Sequence, residues 1–178
     1  MKPFDLFKNK HAGQTCAILG GGVSLPFDIR RIEQVDCLIG VNQHSLILPL
    51  DYLVFSDRHM WEFVEPFHDI LKITNLNKFH DRSDVIKGDE APHIGFSGAK
   101  AIWYAVEMGF EKIYVCGMDQ YEDKQGREYW WQGPQSWPFK ATHMTARNDL
   151  SRWKEFLENL RYPDRVFFVS GRLKELHQ

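Results

Sequence analysis

The sequence lacks the features that mark several classes of protein. No stretch approaches the ~20 consecutive apolar residues of a membrane span, and residues 1–10 are mixed and polar, unlike the basic start and apolar run of a signal peptide. The net charge of -2 provides no basic excess for neutralising a nucleic-acid backbone. We therefore expect a cytoplasmic protein without a transmembrane segment, whose partners do not include nucleic acid.

Cysteine is also scarce. The three cysteines, Cys16, Cys37 and Cys116, each fall within a predicted strand, and none has C-x-x-C spacing. An odd number of thiols placed in strands is typical of a reducing compartment, and the missing paired spacing argues against a zinc site.

Buried strands alternate with helices along the whole chain. The 178 residues contain no repeat and no linker, which predicts one domain covering residues 1–178. The continuous apolar runs are typical of strands buried on both faces of a parallel sheet. We predict a single Rossmann-like α/β domain with a mainly parallel sheet and helices on both faces. Strands are expected at 15–19, 36–41, 52–55, 70–74, 112–116 and 166–169. Helices are expected at about 25–33, 58–69 (broken near Pro66), 97–108 and 145–160, and an irregular connection at 75–93.

A glycine-rich turn follows the first predicted strand. Gly20, Gly21 and Gly22 have no side chains, and Ser24 stands where the next helix would begin. Consecutive glycines permit positive φ values and let a ligand approach backbone N–H groups, and a helix start favours anions. The turn is either a phosphate or nucleotide cradle or a tight strand-to-helix connection without a ligand.

Polar or glycine residues also end three further strands. They lie at 42–44, 56–58 and 117–121. Because ligands of open parallel sheets bind beyond the carboxyl ends of the strands, this convergence favours a ligand site. A nicotinamide dinucleotide is disfavoured, since Leu25 replaces the third glycine of G-x-G-x-x-G and Asn42 replaces the usual acidic residue. The carboxamide of Asn42 suits a base edge or a sugar hydroxyl, although Asn42 is equally suited to be a turn residue.

An ordered set of motifs resembles a known superfamily. The motifs are G-G-G-V-S-L at 20–25, V-N-Q at 41–43, S-G-A-K-A-I-W-Y-A-V-E-M-G-F-E-K-I-Y-V-C-G-M-D-Q-Y at 97–121 and H-M-T-A-R-N-D-L at 143–150. Their layout is similar to the bacterial CMP-sialic-acid-dependent sialyltransferases of lipooligosaccharide synthesis. It also resembles the wider superfamily of MptE-like 6-hydroxymethylpterin diphosphokinases and phage-encoded relatives.

The resemblance implies a nucleotide-binding set and a catalytic set. The nucleotide or nucleotide-sugar donor would be bound by Gly20, Gly21, Gly22, Ser24, Asn42, Asp57, Ser97, Gly98 and Asp119. His143 would act as the base that deprotonates an acceptor hydroxyl, while Tyr121, and Tyr129 as a second tyrosine, would hydrogen-bond the donor phosphate. Such transferases require no metal or other cofactor. The acceptor is not indicated by the sequence.

The sequence departs from the sialyltransferase pattern in three places. Gly21 and Asp57 stand where asparagines are expected, and residues 94–96 lack an expected arginine. A carboxylate beside a phosphate is repulsive unless a cation intervenes, so Asp57 and Asp119 would hold Mg²⁺ in a diphosphokinase-like enzyme. A non-catalytic, phage-type binding or structural protein that kept the fold is the other alternative.

Residues 128–139 concentrate three of the six tryptophans. This segment is either an aromatic lid that stacks on a sugar or base, or a loop packed against its own domain or across a homo-oligomer interface. A membrane-contact loop is the weakest alternative, because no basic cluster accompanies it.

Overall fold

Eight parallel strands form one open sheet in a computed structural model that describes residues 1–46, 48–79, 81–88, 96–119, 129–130 and 150–177. The strands are β1 (Lys2–Pro3), β2 (Thr15–Leu19), β3 (Cys37–Val41), β4 (Tyr52–Val54), β5 (Leu71–Thr74), β6 (Val85–Lys87), β7 (Lys112–Cys116) and β8 (Val166–Phe168). Their order across the sheet is β1-β6-β5-β4-β3-β2-β7-β8, and every neighbouring pair is parallel.

Helices cover both faces of the sheet. Successive residues of β2 point to opposite faces, so Cys16 and Ile18 pack in one apolar cluster and Ala17 and Leu19 in another. The first cluster lies under α3 (Ser97–Glu107), α4 (Leu150–Glu158) and α5 (Arg172–His177), and the second under α1 (Leu25–Asp28) and α2 (Trp61–Val64). The predicted Rossmann-like α/β class is therefore confirmed.

The bounds of helix α3 are close to those predicted from the sequence. It begins at Ser97 as predicted, although Phe96 is the N-cap residue and no side chain caps the helix. The helix ends where Gly109 adopts a φ of 89°, a left-handed conformation that glycine enters without strain.

The other helix predictions were too long in the part of the chain that the structure describes. The helix expected at 25–33 ends at Asp28. The segment expected at 58–69 consists of a 3-10 turn (Arg58–Met60) and α2, which ends at Val64, close to the break predicted near Pro66, and no helix follows the break in this described segment. Residues 145–149 lie outside the described ranges, and α4 occupies the remainder of that predicted helix.

Two strands were not predicted. The three residues of β6 lie within the segment expected to be irregular, and β1 occupies the polar start of the chain. Three residues are too few to show a periodicity, yet Val85 and Ile86 are fully buried and β6 pairs with both β5 and β1. Pro3 lies in the edge strand β1, where a missing N–H is tolerated.

The three cysteines are buried in β2, β3 and β7, as predicted. Burial, and to a smaller extent the charge of Asp28, raises the pKa of the Cys116 thiol to about 12. Among the described residues, no helix is long and apolar enough to cross a membrane.

Candidate functional site

The strand order reverses direction at β2. The chain runs outward from β2 through β3, β4 and β5, and then returns to place β7 on the opposite side of β2. In open α/β sheets, ligands bind in the crevice outside the carboxyl ends of the strands at such a switch point. The glycine turn after β2 and residues 117–119 after β7 lie at this point.

The glycine turn packs closely against the end of β7. The amide of Gly20 donates to the Cys116 carbonyl at 2.8 Å, and that of Gly22 donates to the Gly117 carbonyl at 2.7 Å. A Cβ at Gly20 would lie 2.4 Å from the Gly117 oxygen, and one at Gly22 would lie 2.5 Å from a carboxylate oxygen of Asp119. The protein's own packing therefore requires glycine at both positions.

The carboxylate of Asp119 binds the start of α1. Its Oδ2 accepts a hydrogen bond from the Ser24 amide at 2.9 Å, and its Oδ1 contacts the Ser24 hydroxyl. Burial raises the pKa of Asp119, and the hydrogen bonds from Ser24 oppose this effect only in part. The anion at the start of α1 is thus a side chain of the protein itself.

Asp28 connects three segments of the switch point. Its Oδ2 accepts hydrogen bonds from the Ser24 hydroxyl at 2.7 Å, the Gly117 amide at 3.0 Å and the Ser170 hydroxyl at 2.9 Å. The side chain is 1% exposed. Asp28 therefore joins α1, the end of β7 and the residues after β8, which fixes the shape of this side of the crevice.

Asn42, at the end of β3, combines an unusual backbone with an unsatisfied side chain. Its φ is 55°, in the left-handed region that asparagine tolerates better than most residues. Its Oδ1 is buried and has no hydrogen-bond partner among the described residues, as is also true of Ser56 Oγ after β4. A buried polar atom without a partner costs about 1–3 kcal/mol, so both atoms are candidates for contacting a ligand.

Two residues of the aromatic loop, Tyr129 and Trp130, cover the glycine turn. Tyr129 forms an antiparallel bridge with Gly22, and the Trp130 amide donates to the Gly21 carbonyl at 3.0 Å. The indole of Trp130 donates to the His44 carbonyl at 3.1 Å, and the Tyr129 ring stacks on the His44 ring at 4.5 Å. Burial lowers the pKa of His44 to about 4. These two loop residues pack against their own domain, as one of the alternatives predicts.

A further polar side chain near the carboxyl ends of β4 and β5 is that of Lys100, in the first turn of α3. Lys100 is 8% exposed, and its Nζ donates to Asn75 Oδ1 at 3.2 Å. Burial lowers the pKa of Lys100, and the charge of Asp57 opposes this shift. Ser97 is buried at the start of the same turn, and a Cβ at Gly98 would lie 2.9 Å from the sulfur of Met118.

The structure places most of the predicted residues around one point. Near the carboxyl ends of β2, β3 and β7 lie Gly20, Gly21, Gly22, Ser24, Asn42, Gly98, Asp119 and Tyr129, with Gly98 beside Met118. Ser97 precedes Gly98 at the start of α3, and Asp57 follows β4. Asp57 and Asp119 follow strands that are not neighbours, because β3 and β2 lie between β4 and β7, a separation of roughly 14 Å in strand spacings. The described residues contain no group of three or more potential metal ligands. Tyr121 and His143 lie outside the described ranges.

Two site residues, Asp28 and Lys100, were missed from the sequence. His44 and Trp130 lie in segments that the sequence had indicated, the strand end at 42–44 and the tryptophan-rich segment at 128–139. Of the two missed residues, only Lys100 carried a usable signal, because it follows Ser97 by three residues and so shares its face of α3.

The fold is similar to that of a solved sialyltransferase. No protein-family model and no curated protein sequence matches the chain. CstII from Campylobacter jejuni in complex with a substrate analogue, cytidine-5'-monophosphate, aligns with a TM-score of 0.65 at 15% identity, covering 93% of this chain and 84% of CstII. Its complex with CMP-3FNeuAc aligns with a TM-score of 0.61 at 13% identity, covering 92% and 84%. The chain therefore has a sialyltransferase-like, Rossmann-like α/β fold.

Proposed function

We propose that the protein is a transferase that binds a CMP-linked sugar donor at the carboxyl ends of β2, β3 and β4. The observation that carries this proposal is the carboxamide oxygen of Asn42 at the end of β3, which is buried and has no hydrogen-bond partner in the described part of the chain. It lies at the ligand-binding edge of a fold shared with a structure that contains cytidine-5'-monophosphate.

The chemistry of Asn42 suits a cytidine nucleotide. Its Oδ1 is an acceptor, and the exocyclic amine of cytosine and the ribose hydroxyls are donors of matching polarity. The left-handed backbone holds this side chain at the strand end, and strain of this kind clusters at ligand-binding positions. A donor group from the ligand would remove the cost of the unsatisfied oxygen.

The proposed transfer uses two sets of side chains. His143 accepts the proton of the acceptor hydroxyl while that oxygen attacks the anomeric carbon, and the bond from this carbon to the phosphate oxygen breaks. Tyr121 and Tyr129 donate hydrogen bonds to the leaving phosphate. The contacts of Tyr129 with Gly22 and His44 support a position for its phenol near the glycine turn.

Binding of CMP is the first test, and Asn42→Gly is the informative variant. Glycine keeps the left-handed backbone and removes only the carboxamide, so we expect affinity for CMP to fall at least about tenfold. Isothermal titration with CMP, CTP and GTP, with and without Mg²⁺, measures this. Asn9→Gly is a matched control, since Asn9 also has a φ of 55° but is exposed and lies beside the end of α3.

The same titrations separate the alternatives. No binding of any nucleotide at millimolar concentration contradicts the proposal and favours the non-catalytic, phage-type alternative. A strict Mg²⁺ requirement favours the MptE-like diphosphokinase, although the separation of β4 from β7 weighs against a shared ion between Asp57 and Asp119.

The role of His143 has a separate test. We expect His143→Ala to lower turnover at least about 100-fold once an acceptor has been found by screening, because the acceptor hydroxyl loses its base. CMP release measures turnover, and CMP affinity should change little. Full activity of His143→Ala would exclude this residue as the base.

A further inference from the structure

The side chain of Lys100 is largely buried, and its ammonium group has few partners among the described residues. Lys100 is 8% exposed, and among the described residues the only hydrogen bond of its Nζ is donated to the neutral amide oxygen of Asn75. An ammonium group has three N–H donors, which leaves two without a protein acceptor in the described part of the chain. A buried charge is costly unless it is paired and hydrogen-bonded.

A second buried lysine, which lies in the sheet rather than in a helix, shows what a purely structural role requires. Lys72 in β5 is fully buried, and its Nζ donates to the Phe67 carbonyl at 2.6 Å, the Ile70 carbonyl at 3.1 Å and Asp84 Oδ2 at 3.0 Å. All three donors are used, and one acceptor is charged. Lys100 has neither property, so packing alone does not account for it.

The position of Lys100 is at the ligand-binding edge. It lies one turn into α3, and its head group reaches Asn75, the residue that follows β5. The charge of Asp57, after β4, acts on it without a direct ion pair within 4.0 Å among the described residues. The positive head group therefore lies at the carboxyl ends of β4 and β5, beside the site of the proposed function.

We propose that Lys100 binds an anionic oxygen group of the donor, so that its charge offsets the repulsion between that group and Asp57. This inference rests on the proposed function. The anion is either the phosphate of CMP or the carboxylate of a neuraminic acid linked to it, and both offer acceptors to the two unused N–H groups. The ammonium group of Lys100 supplies the positive charge that is needed when a phosphate or carboxylate of the ligand lies near the carboxylate of Asp57.

Three ligands and three substitutions test the inference. Titrations with cytidine, CMP and CMP-3FNeuAc measure two affinity ratios. The preference for CMP over cytidine reports how strongly the phosphate is bound. The preference for CMP-3FNeuAc over CMP reports how strongly the carboxylate is bound. We expect Lys100→Met to reduce one of these preferences at least about tenfold, and Lys100→Arg to retain it. Asp57→Asn should strengthen the same preference in the wild-type background. If Lys100→Met leaves both preferences unchanged, the inference is overturned while the proposed function stands.

A second measurement decides the inference if no cytidine compound binds. In protein labelled with ¹³C-lysine, the Cε signal that disappears in Lys100→Arg belongs to Lys100. A shift of this signal with inorganic pyrophosphate, absent for the Lys72 signal, supports an anion site at Lys100 even though the proposed function has failed. If the Lys100 signal does not shift up to 10 mM pyrophosphate (roughly the range of weak anion binding), the inference about Lys100 is overturned along with the proposed function. Thermal unfolding of each variant confirms that it is folded.

Discussion

Asp28→Ala is expected to lower the free energy of unfolding by about 3 kcal/mol or more. The substitution removes the single carboxylate oxygen that accepts hydrogen bonds from Ser24, the Gly117 amide and Ser170. The Gly117 amide is buried, so it would lose its partner without gaining water. The three segments joined by Asp28 would also lose their common anchor at the switch point.

Urea unfolding followed by circular dichroism measures this effect. Asp5→Ala is a suitable control, because Asp5 is 67% exposed and pairs only with Lys8 one turn away in the described structure, so its loss should cost less than about 0.5 kcal/mol. Asp28→Asn retains an acceptor oxygen, so its free energy of unfolding should lie between those of Asp28→Ala and the Asp5→Ala control. Equal stability of Asp28→Ala and the wild type would show that these hydrogen bonds contribute nothing to the fold.

Lys72→Met is expected to cost about 3–5 kcal/mol at neutral pH. The substitution leaves two backbone carbonyls without their donor and removes one of the two cations that bind Asp84, the other being Arg82. The surface pair of Lys154 and Glu158 provides the control, and Lys154→Met should change stability by less than about 0.5 kcal/mol. A loss below about 1 kcal/mol for Lys72→Met would contradict the expectation that its three hydrogen bonds are stabilising.

The cost of Lys72→Met should also depend on pH. Burial alone would raise the pKa of Asp84, but the hydrogen bonds from Lys72 and Arg82 outweigh it and lower the pKa. A lowered carboxyl pKa contributes stability above the unfolded value, and this contribution is lost as pH falls through the folded value. The difference between wild type and Lys72→Met should therefore be largest near neutral pH and shrink below about pH 4. Unfolding curves at several pH values measure it, and a difference that grows in acid would contradict this account.

The sequence predicted the centre of the fold better than its edges. Strands β2 and β7 have the predicted bounds because each contains a continuous run of four apolar residues, 16–19 and 113–116, and the glycines that follow correctly indicated where the strands stop. Strand β6 was missed because three residues show no period, and it is a strand only through its pairing with β5 and β1.

The candidate site was only partly predictable for the same reason. The turn at Gly20–Gly22 was recognisable from its glycines, but what they approach is the backbone of Gly117 and the side chain of Asp119, nearly a hundred residues later. The role of Asp28 depends on the Gly117 amide, 89 positions away, and nothing in the local pattern of α1 indicates it. The placement of Lys100 beside Asn75 likewise depends on how α3 crosses the sheet.

The hydrogen bonds between Ser24 and Asp119 have a kinetic consequence, because they join residues 95 positions apart in the chain. Closing so long a loop costs conformational entropy before the contacts that stabilise it can form. Parallel pairs of strands that are distant in sequence therefore form slowly, on the order of milliseconds to seconds. The switch point should therefore form late, after β2 to β6 have found neighbours closer in sequence. During synthesis, the crevice cannot be assembled until β7 has emerged, so a nascent chain would present β2 as an unpaired edge for most of its elongation.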